Sequence, residues 1–475
     1  MLTFADVLEA LTNFRPQAAP MVITEAVIDS RQTIPGSLFV AIPGEKTDGH
    51  GFVGEAFKRG ASYALTQQDV DASFRTFDLR AVASADSYQG VDFSIPLCLR
   101  VENTVAALQH IARFWRRRLD LRVIGITGSV GKSTTKEMVT EVLSTRYRTL
   151  KSPGNLNNEI GLPLTMTRLS SGYQHAVMEM GFYVPGEIAF LCDIALPQIG
   201  VVTNVGTVHA ERAGSQEAIA RGKAELVQAL PAAPEGVAIL NFDDPWVRKM
   251  EEKTKARVFF YGLSSEADLW ADRVEGLGLD GIRFRMHYQG ETLHVKIPLI
   301  GRHSVHTALR AAAVGLAEGM NWQEIIEGLS QGHMQLRLAA VRSESGALLL
   351  DDSYNASPES MLAALNLLDE LDGRKVAVLG DMLELGPYER GGHEMVGLRA
   401  AQVADVLLTL GERAHTIAEA ARRATGKKRT IMEFSEVDPL VEWLGNNLTK
   451  NDVVLIKGSH GLRMDRIISS LEVHS

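Results

Sequence analysis

The stretch Leu121–Val139, LRVIGITGSVGKSTTKEMV, decides the fold. An apolar run passes through a glycine-containing turn into a segment where Met138, Val139, Val142 and Leu143 recur at helical spacing. A buried strand, a glycine loop and an amphipathic helix in that order form one βα unit, the building block of a mostly parallel sheet.

The turn also carries chemistry. Gly131, Lys132 and Ser133 end a G-x-x-x-x-G-K-[ST] pattern, although Ile126 occupies its first glycine position. The segment Gly128, Ser129, Val130, Gly131, Lys132, Ser133 and Thr134 still suits a polyphosphate. Gly128 and Gly131 let backbone N–H groups turn inward, and the following helix presents its positive end to the anion. Lys132 can reach the β/γ-phosphates of ATP, and the Ser133 hydroxyl can hold Mg²⁺. A glycine turn that merely packs is the bland alternative, and the strand before and helix after weigh against it.

The length of 475 residues exceeds one compact core and predicts about three domains. A formal charge of −9 opposes a nucleic-acid footprint, which needs clustered excess Lys and Arg. The basic runs RFWRRR from Arg113 and RRATGKKR from Arg422 read as solvated helix ends or turns. Cys98 and Cys192 stand in apolar contexts, so two buried thiols are expected rather than a disulfide framework or a thiolate metal site. The start, MLTFADVLEALTNF, is an amphipathic helix pattern without the basic start of a targeting segment. No segment is long and apolar enough to span a bilayer. A cytoplasmic monomer that does not insert into membranes is expected.

The domains are expected at residues 1–99, 100–335 and 336–475, all α/β. Strands are predicted at GSLFVAIPG and GASYALTQ, followed by a helix on which Val105, Leu108, Ile111, Ala112 and Trp115 share a face, with Asn103 or Thr104 as cap. The central domain, P-loop ATPase-like, adds strands at HAVMEMG, QIGVVTNVG and GVAILNFDD. From Ala267 to Ile300 an alternating pattern predicts an antiparallel extension, and HSVHTALRAAAVGLAEG predicts a helix. The last 140 residues or so predict strands at ALLLDD, KVAVLGD, DVLLTLG and DVVLIKG, a Rossmann-like alternation without G-x-G-x-x-G, so no dinucleotide is assigned.

Three further residues fall where an open α/β sheet places its ligands. Glu179 ends the strand HAVME and is a candidate Mg²⁺ ligand. His209 follows the next strand and would emerge on the same edge. Lys223, among polar residues in a helical pattern, reads as a solvated lysine by its context alone.

The motifs TGSVGKSTTKE, NLNNEIGLP, MEMG, TNVGTVHAERAGS, RGKAEL, DDSYNASPES, LGDMLELG and IKGSHGLRMD, in this order, resemble the Mur ligases, ATP-dependent enzymes that add amino acids to the cytoplasmic peptidoglycan precursor. The resemblance spans nearly the whole chain. Asp352–Pro358 and Leu379–Gly386 are similar to the member that adds D-alanyl-D-alanine to UDP-N-acetylmuramoyl-tripeptide. The Asp-Asn-Pro-Arg element expected of the ligase adding the third residue is not found.

The resemblance implies site roles. DSRQTIPGSLFVAIPGEKTDGHGF resembles a UDP-binding N-terminal domain, placing Ser30, Arg31 and the Lys46–His50 turn (Thr47, Asp48, His50) near the UDP end of the substrate. Asn157 and Asn158 are implied as substrate contacts, and His303, Asp352 and Asn355 as nucleotide contacts. Lys132, Glu179, His209, Lys223 and Arg337 are implied in catalysis. Ser133, Glu179, His209 and a carbamylated Lys223 would hold Mg²⁺, and Arg337 would steady the transferring phosphate. The sequence departs from the family pattern at Ser304 and Thr307, where asparagines are common, at His460, where arginine is usual, and at Ser133, where threonine is commoner.

The reaction so implied activates a carboxylate. Phosphoryl transfer makes an acyl phosphate, which the amine of D-alanyl-D-alanine attacks to give an amide, ADP and phosphate. A P-loop kinase or regulatory NTPase, a folylpolyglutamate-synthetase-like ligase and an inactive precursor-binding protein share parts of the pattern. The first two have no use for the N-terminal module, and intact Lys132, Glu179, His209 and Lys223 oppose the third.

Overall fold

The computed structural model describes residues 1–475 except 17–20, 45–46, 332–338, 354, 426–428 and 473–475. Three separate sheets organise the described residues. The first is parallel, with β1 (Ala26–Val27), β2 (Leu38–Val40), β3 (Tyr63–Thr66), β4 (Thr76–Asp78) and β5 (Leu97–Arg100) in the order β1-β2-β3-β5-β4. The predicted helix follows as Thr104–Arg116, capped by the Asn103 side chain. It packs on both the N-terminal helix Phe4–Thr12 and the helix Gly161–Thr167, and Trp115 donates its indole N–H to Leu169 O. One apolar cluster therefore runs without a break from Leu2 and Phe4 to Met178 and Leu240.

The central sheet holds β6 (Arg122–Thr127), β7 (Thr149–Lys151), β8 (His175–Glu179), β9 (Ile199–Val202), β10 (Val237–Asn241), β11 (Arg257–Gly262), β12 (Leu269–Gly276), β13 (Ile282–Tyr288) and β14 (Glu291–Ile297). Their order is β14-β13-β12-β11-β10-β9-β6-β8-β7. Val123, Ile124 and Ile126 of β6 are wholly buried, because helices cover both faces and such a strand must be continuously apolar. The chain then switches to the expected antiparallel extension, whose last hairpin turns at Gln289 and Gly290. β7 and β11 escape sequence reading: β7 is a three-residue edge strand, half-buried throughout.

The C-terminal sheet comprises β15 (Ala339–Arg342), β16 (Leu348–Asp351), β17 (Arg374–Gly380), β18 (Val406–Leu410), β19 (Thr430–Phe434) and β20 (Asp452–Lys457), ordered β15-β16-β20-β17-β18-β19. Only β15 runs antiparallel. β15 and β19, the two edges, are not among the strands expected from sequence.

Two sequence expectations fail. Arg116 is no solvated helix end: it is buried, its guanidinium donating to Ala195 O, Leu119 O, Leu121 O and Leu196 O. These four carbonyl acceptors offset the cost of holding a cation in so apolar a place. Lys223 is likewise buried, at 1% exposure, in the helix Gln216–Gln228. Part of the second basic run, residues 426–428, lies outside the described residues. Cys98 and Cys192 are free and buried as expected, and burial pushes the Cys98 thiol up to about 11.

Candidate active site

Register brings the chemistry together. In the ladders around β6, Ile126 stands opposite Glu179 of β8 and Thr127 opposite Val202 of β9, so the glycine loop, Glu179 and the Thr203–Asn204 turn leave the sheet at one edge.

Asn204 and Thr203 shape the loop. Ser129 N–H donates to Asn204 O at 3.0 Å and Val130 N–H to Asn204 Oδ1 at 2.9 Å. The Thr203 hydroxyl donates to Val130 O at 2.7 Å. Gly128 has φ +148°, and a Cβ there would fall 1.8 Å from Thr203 Oγ1, so this position admits only glycine. The helix Lys132–Ser144 starts at Gly131, whose φ is +83°, without a side-chain cap on its first-turn N–H groups. Lys132 folds back over the loop, donating from Nζ to Gly128 O at 2.8 Å and Ser129 O at 3.3 Å.

Glu179 is buried at 2% exposure and accepts from Ser133 Oγ at 2.7 Å and Asn157 Nδ2 at 2.9 Å. Lys136, also buried, approaches it at 3.9 Å while donating to Gly154 O at 2.9 Å. A carboxylate beside a hydroxyl is the hard oxygen set Mg²⁺ takes. Among the described residues no three His, Cys, Asp or Glu side chains converge as a ready-made metal cage. That suits a cation taking much of its shell from phosphate and water.

His209 and Lys223 complete the neighbourhood. Lys223 Nζ lies 4.8 Å from the Phe182 ring centroid, and among the described residues no carboxylate pairs with it. Burial, aided by repulsion from Lys132, pushes its pKa well down, which favours the neutral amine. His209 has φ +68° and holds Glu384 Oε2 at 2.6 Å through Nδ1. Burial lowers its pKa to about 4 despite the Glu384 bond, with Lys132 and Lys223 adding to the fall. The neutral ring therefore donates Nδ1–H to Glu384 and keeps the Nε2 lone pair.

Glu384 itself has φ +63° and comes from the C-terminal domain. Two non-glycine residues in left-handed conformations thus meet across the domain junction, beside Glu359, which accepts from Thr207 N–H at 3.4 Å. Asp352 and Asn355 enter the same cleft at the carboxyl end of β16, tied by Lys457, which donates to Asp352 Oδ2 at 2.7 Å and Asn355 O at 2.8 Å. The cleft, about 570 Å³, is lined from both domains. His303 also lines it, reached by solvent yet ringed by protein. Desolvation, with His306, Arg310 and Lys457 around it, lowers its pKa to about 4.

The family model for the Mur ligase catalytic domain matches residues 22–116, that for the middle domain residues 126–315, and that for the glutamate ligase domain residues 336–460. The chain belongs to the Mur ligase family. A similar curated Mur ligase is UDP-N-acetylmuramoyl-tripeptide--D-alanyl-D-alanine ligase of Bacillus subtilis, 34% identical over 96% of this chain and 94% of its own. Among solved Mur ligases, MurF from Acinetobacter baumannii superposes with a TM-score of 0.84 at 29% identity, covering 99% of both chains. MurF ligase from Thermotoga maritima in complex with ADP gives 0.77 at 27% identity over 97% of both.

Not every residue expected of a Mur ligase reaches the cleft. Asn157 does, through Glu179, whereas Asn158 caps a turn by accepting from Gly161 N–H at 2.8 Å. Ser30, Arg31, Thr47, Asp48 and His50 sit in the loops of the first sheet, apart from the cleft lining. His50 Nε2 accepts from Gln67 N–H at 3.0 Å, so its Nδ1–H donates to Asp48 at 2.6 Å and the ring holds its own turn. Arg337 and Lys46 lie outside the described residues. Sequence reading missed Asn204, Lys136, Glu384, Lys457 and Arg310. The first four stand inside the motifs TNVGTVHAERAGS, TGSVGKSTTKE, LGDMLELG and IKGSHGLRMD without a role of their own, and Arg310 is a single cation in the otherwise apolar run ALRAAAVG.

Proposed function

We propose that the chain is an ATP-dependent ligase that joins D-alanyl-D-alanine to UDP-N-acetylmuramoyl-tripeptide, acting in the cytoplasm as a monomer during peptidoglycan precursor synthesis. The observation that carries this reading is the glycine loop with the Ser133–Glu179 pair at one sheet edge, faced by C-terminal residues, in a chain whose relatives bear that activity over nearly their whole length. Residues 1–99 form the UDP-binding unit, with Ser30, Arg31, Thr47, Asp48 and His50 toward the uridine end. Residues 100–335 bind ATP, and 336–475 close the site.

The chemistry follows from the placement. Lys132 exchanges the Gly128 and Ser129 carbonyls for the β/γ-phosphates, adding positive charge where it develops during transfer. Ser133, Glu179, the free Nε2 of His209 and Lys223 as its carbamate would hold Mg²⁺. When bound, the cation neutralises charge on the transferring phosphate. A neutral, desolvated Lys223 amine is the form that captures CO₂, which supports the carbamate. Arg337 is assigned to the same phosphate, and His303, Asp352 and Asn355 to the nucleotide.

The tripeptide's terminal carboxylate takes the γ-phosphoryl group, and ADP leaves. The dipeptide's neutral amine then attacks the carbonyl carbon of the acyl phosphate. Collapse of the tetrahedral intermediate expels phosphate, and the nitrogen gives up its extra proton to leave the amide. The cleft walls from two domains exclude water, which would otherwise hydrolyse the acyl phosphate. Phosphate release should require ATP, the UDP-muramoyl tripeptide and D-alanyl-D-alanine together; comparable release with either acceptor omitted would overturn the assignment.

A further inference from the structure

Arg310, in the helix Val305–Ala317, is a buried cation that the chemistry above does not use. It is 5% exposed, yet it lines the cleft. Nε donates to His306 O one turn earlier at 3.0 Å, and Nη2 donates to Thr307 Oγ1 at 2.9 Å. These two bonds lock the guanidinium plane against the end of the phosphate loop. A Cβ on Gly131 would stand 3.4 Å from Nη1 and 3.5 Å from Nη2, in ordinary contact, so the fork lies directly against the loop where the helix begins.

Among the described residues no carboxylate pairs with this cation. Asp243, on the same side of the sheet, is held by His306 Nε2 at 2.8 Å and by Leu263 N–H at 2.8 Å. Tyr261, whose ring centroid is 5.9 Å from Arg310 Cζ and whose hydroxyl also engages the guanidinium, is a neutral partner: burial pushes its phenol pKa up. A buried guanidinium with only neutral acceptors is costly, and such charges are normally paired. Its fork geometry matches phosphate oxygens bidentately.

We infer that Arg310 binds the nucleotide's phosphate chain, its Nη1 edge completing the anion cradle begun by the first turn of the helix Lys132–Ser144. The inference rests on the ATP-ligase reading and adds a phosphate contact to it. It also gives the departure at Thr307 a role, because the threonine hydroxyl accepts from Nη2 and so aims the fork.

Direct titration of the purified full-length chain with ATP, ADP and adenosine tests this. R310M should weaken ATP and ADP binding by about tenfold to a hundredfold, the range of one charge-assisted contact, while adenosine binding stays at the wild-type level. R310Q, which keeps donors without charge, should lose affinity in the same order of ligands and serves if R310M fails to fold. The salt dependence of ATP binding should also flatten in either variant. Wild-type ATP affinity in the variants, or an equal loss for adenosine, would overturn the phosphate contact. Wild-type protein that binds no ATP would instead refute the ligase reading beneath it.

Discussion

Replacing Lys223 by methionine tests the most unusual electrostatic feature of the site. The side chain is 1% exposed, stacked by Phe182, and its amine is driven toward neutrality by burial and by Lys132. The unfolded chain binds a proton at this lysine up to its ordinary pKa near 10.4, whereas the folded chain releases it far earlier. Between those two values the unfolded state holds one more proton than the native state. Wild-type stability must therefore rise with pH, by about 1.4 kcal/mol per unit from this residue alone, and the penalty is complete only below the folded pKa. Methionine fills a similar unbranched volume and has nothing to titrate. In CO₂-free buffer without nucleotide, K223M should match or exceed the wild type at neutral pH, and the wild type should gain on it as the pH approaches 10. Urea unfolding followed by tryptophan fluorescence reports this. On the proposed carbamate, added bicarbonate should stabilise only the wild type, because CO₂ would then bind the native state alone. Parallel stability curves for the two proteins from pH 7 to 10 would refute the reasoning, because a solvated lysine has no shift to release.

The other expectations concern the loop and the domain junction. K132A should abolish ligation with folding intact; retention of more than about a tenth of turnover, a deficit under ~1.4 kcal/mol, would remove Lys132 from the principal transition-state contacts. G128A should lose nucleotide binding, as its Cβ meets Thr203 Oγ1 at 1.8 Å in a backbone conformation with φ +148°, and wild-type ATP affinity in a titration would contradict that geometry. E384A should loosen the C-terminal domain, enlarging the radius of gyration in X-ray scattering, and should raise the Mg²⁺ requirement of ligation because His209 loses the partner that fixes its tautomer. An unchanged scattering curve together with an unchanged Mg²⁺ requirement would show that this contact positions nothing.

What the sequence made legible follows from how local each signal is. The strand, glycine loop and helix around Gly128–Ser133 obey short-range rules, as do the Asn103 cap and the alternating pattern of β12–β14, and all appear where expected. Glu179 was placed by its position at a strand end, and the ladder opposite Ile126 explains why that works. Lys223 and Arg116 were misread because burial is decided by segments far away in the chain, here Phe182 for one and the Ala195 carbonyl for the other. Glu384 was quoted within a motif, but its bond to His209 exists only once two domains meet. Asn158, beside a residue that bonds Glu179, accepts through Oδ1 from its own turn, a bond that sequence spacing alone does not reveal.

The hairpin of β13 and β14 has a practical consequence. Its two-residue turn, Gln289 with φ +48° and Gly290 with φ +85°, has the double left-handed geometry that matches strand twist, and a Cβ on Gly290 would meet nothing. From β13 to β6, whose end carries the phosphate loop, there are five strand steps, roughly 24 Å of sheet. The turn itself stands well apart from the parallel half that aligns the reacting groups. It is the natural attachment point for a fluorophore or an affinity handle that reports on the molecule without disturbing its chemistry.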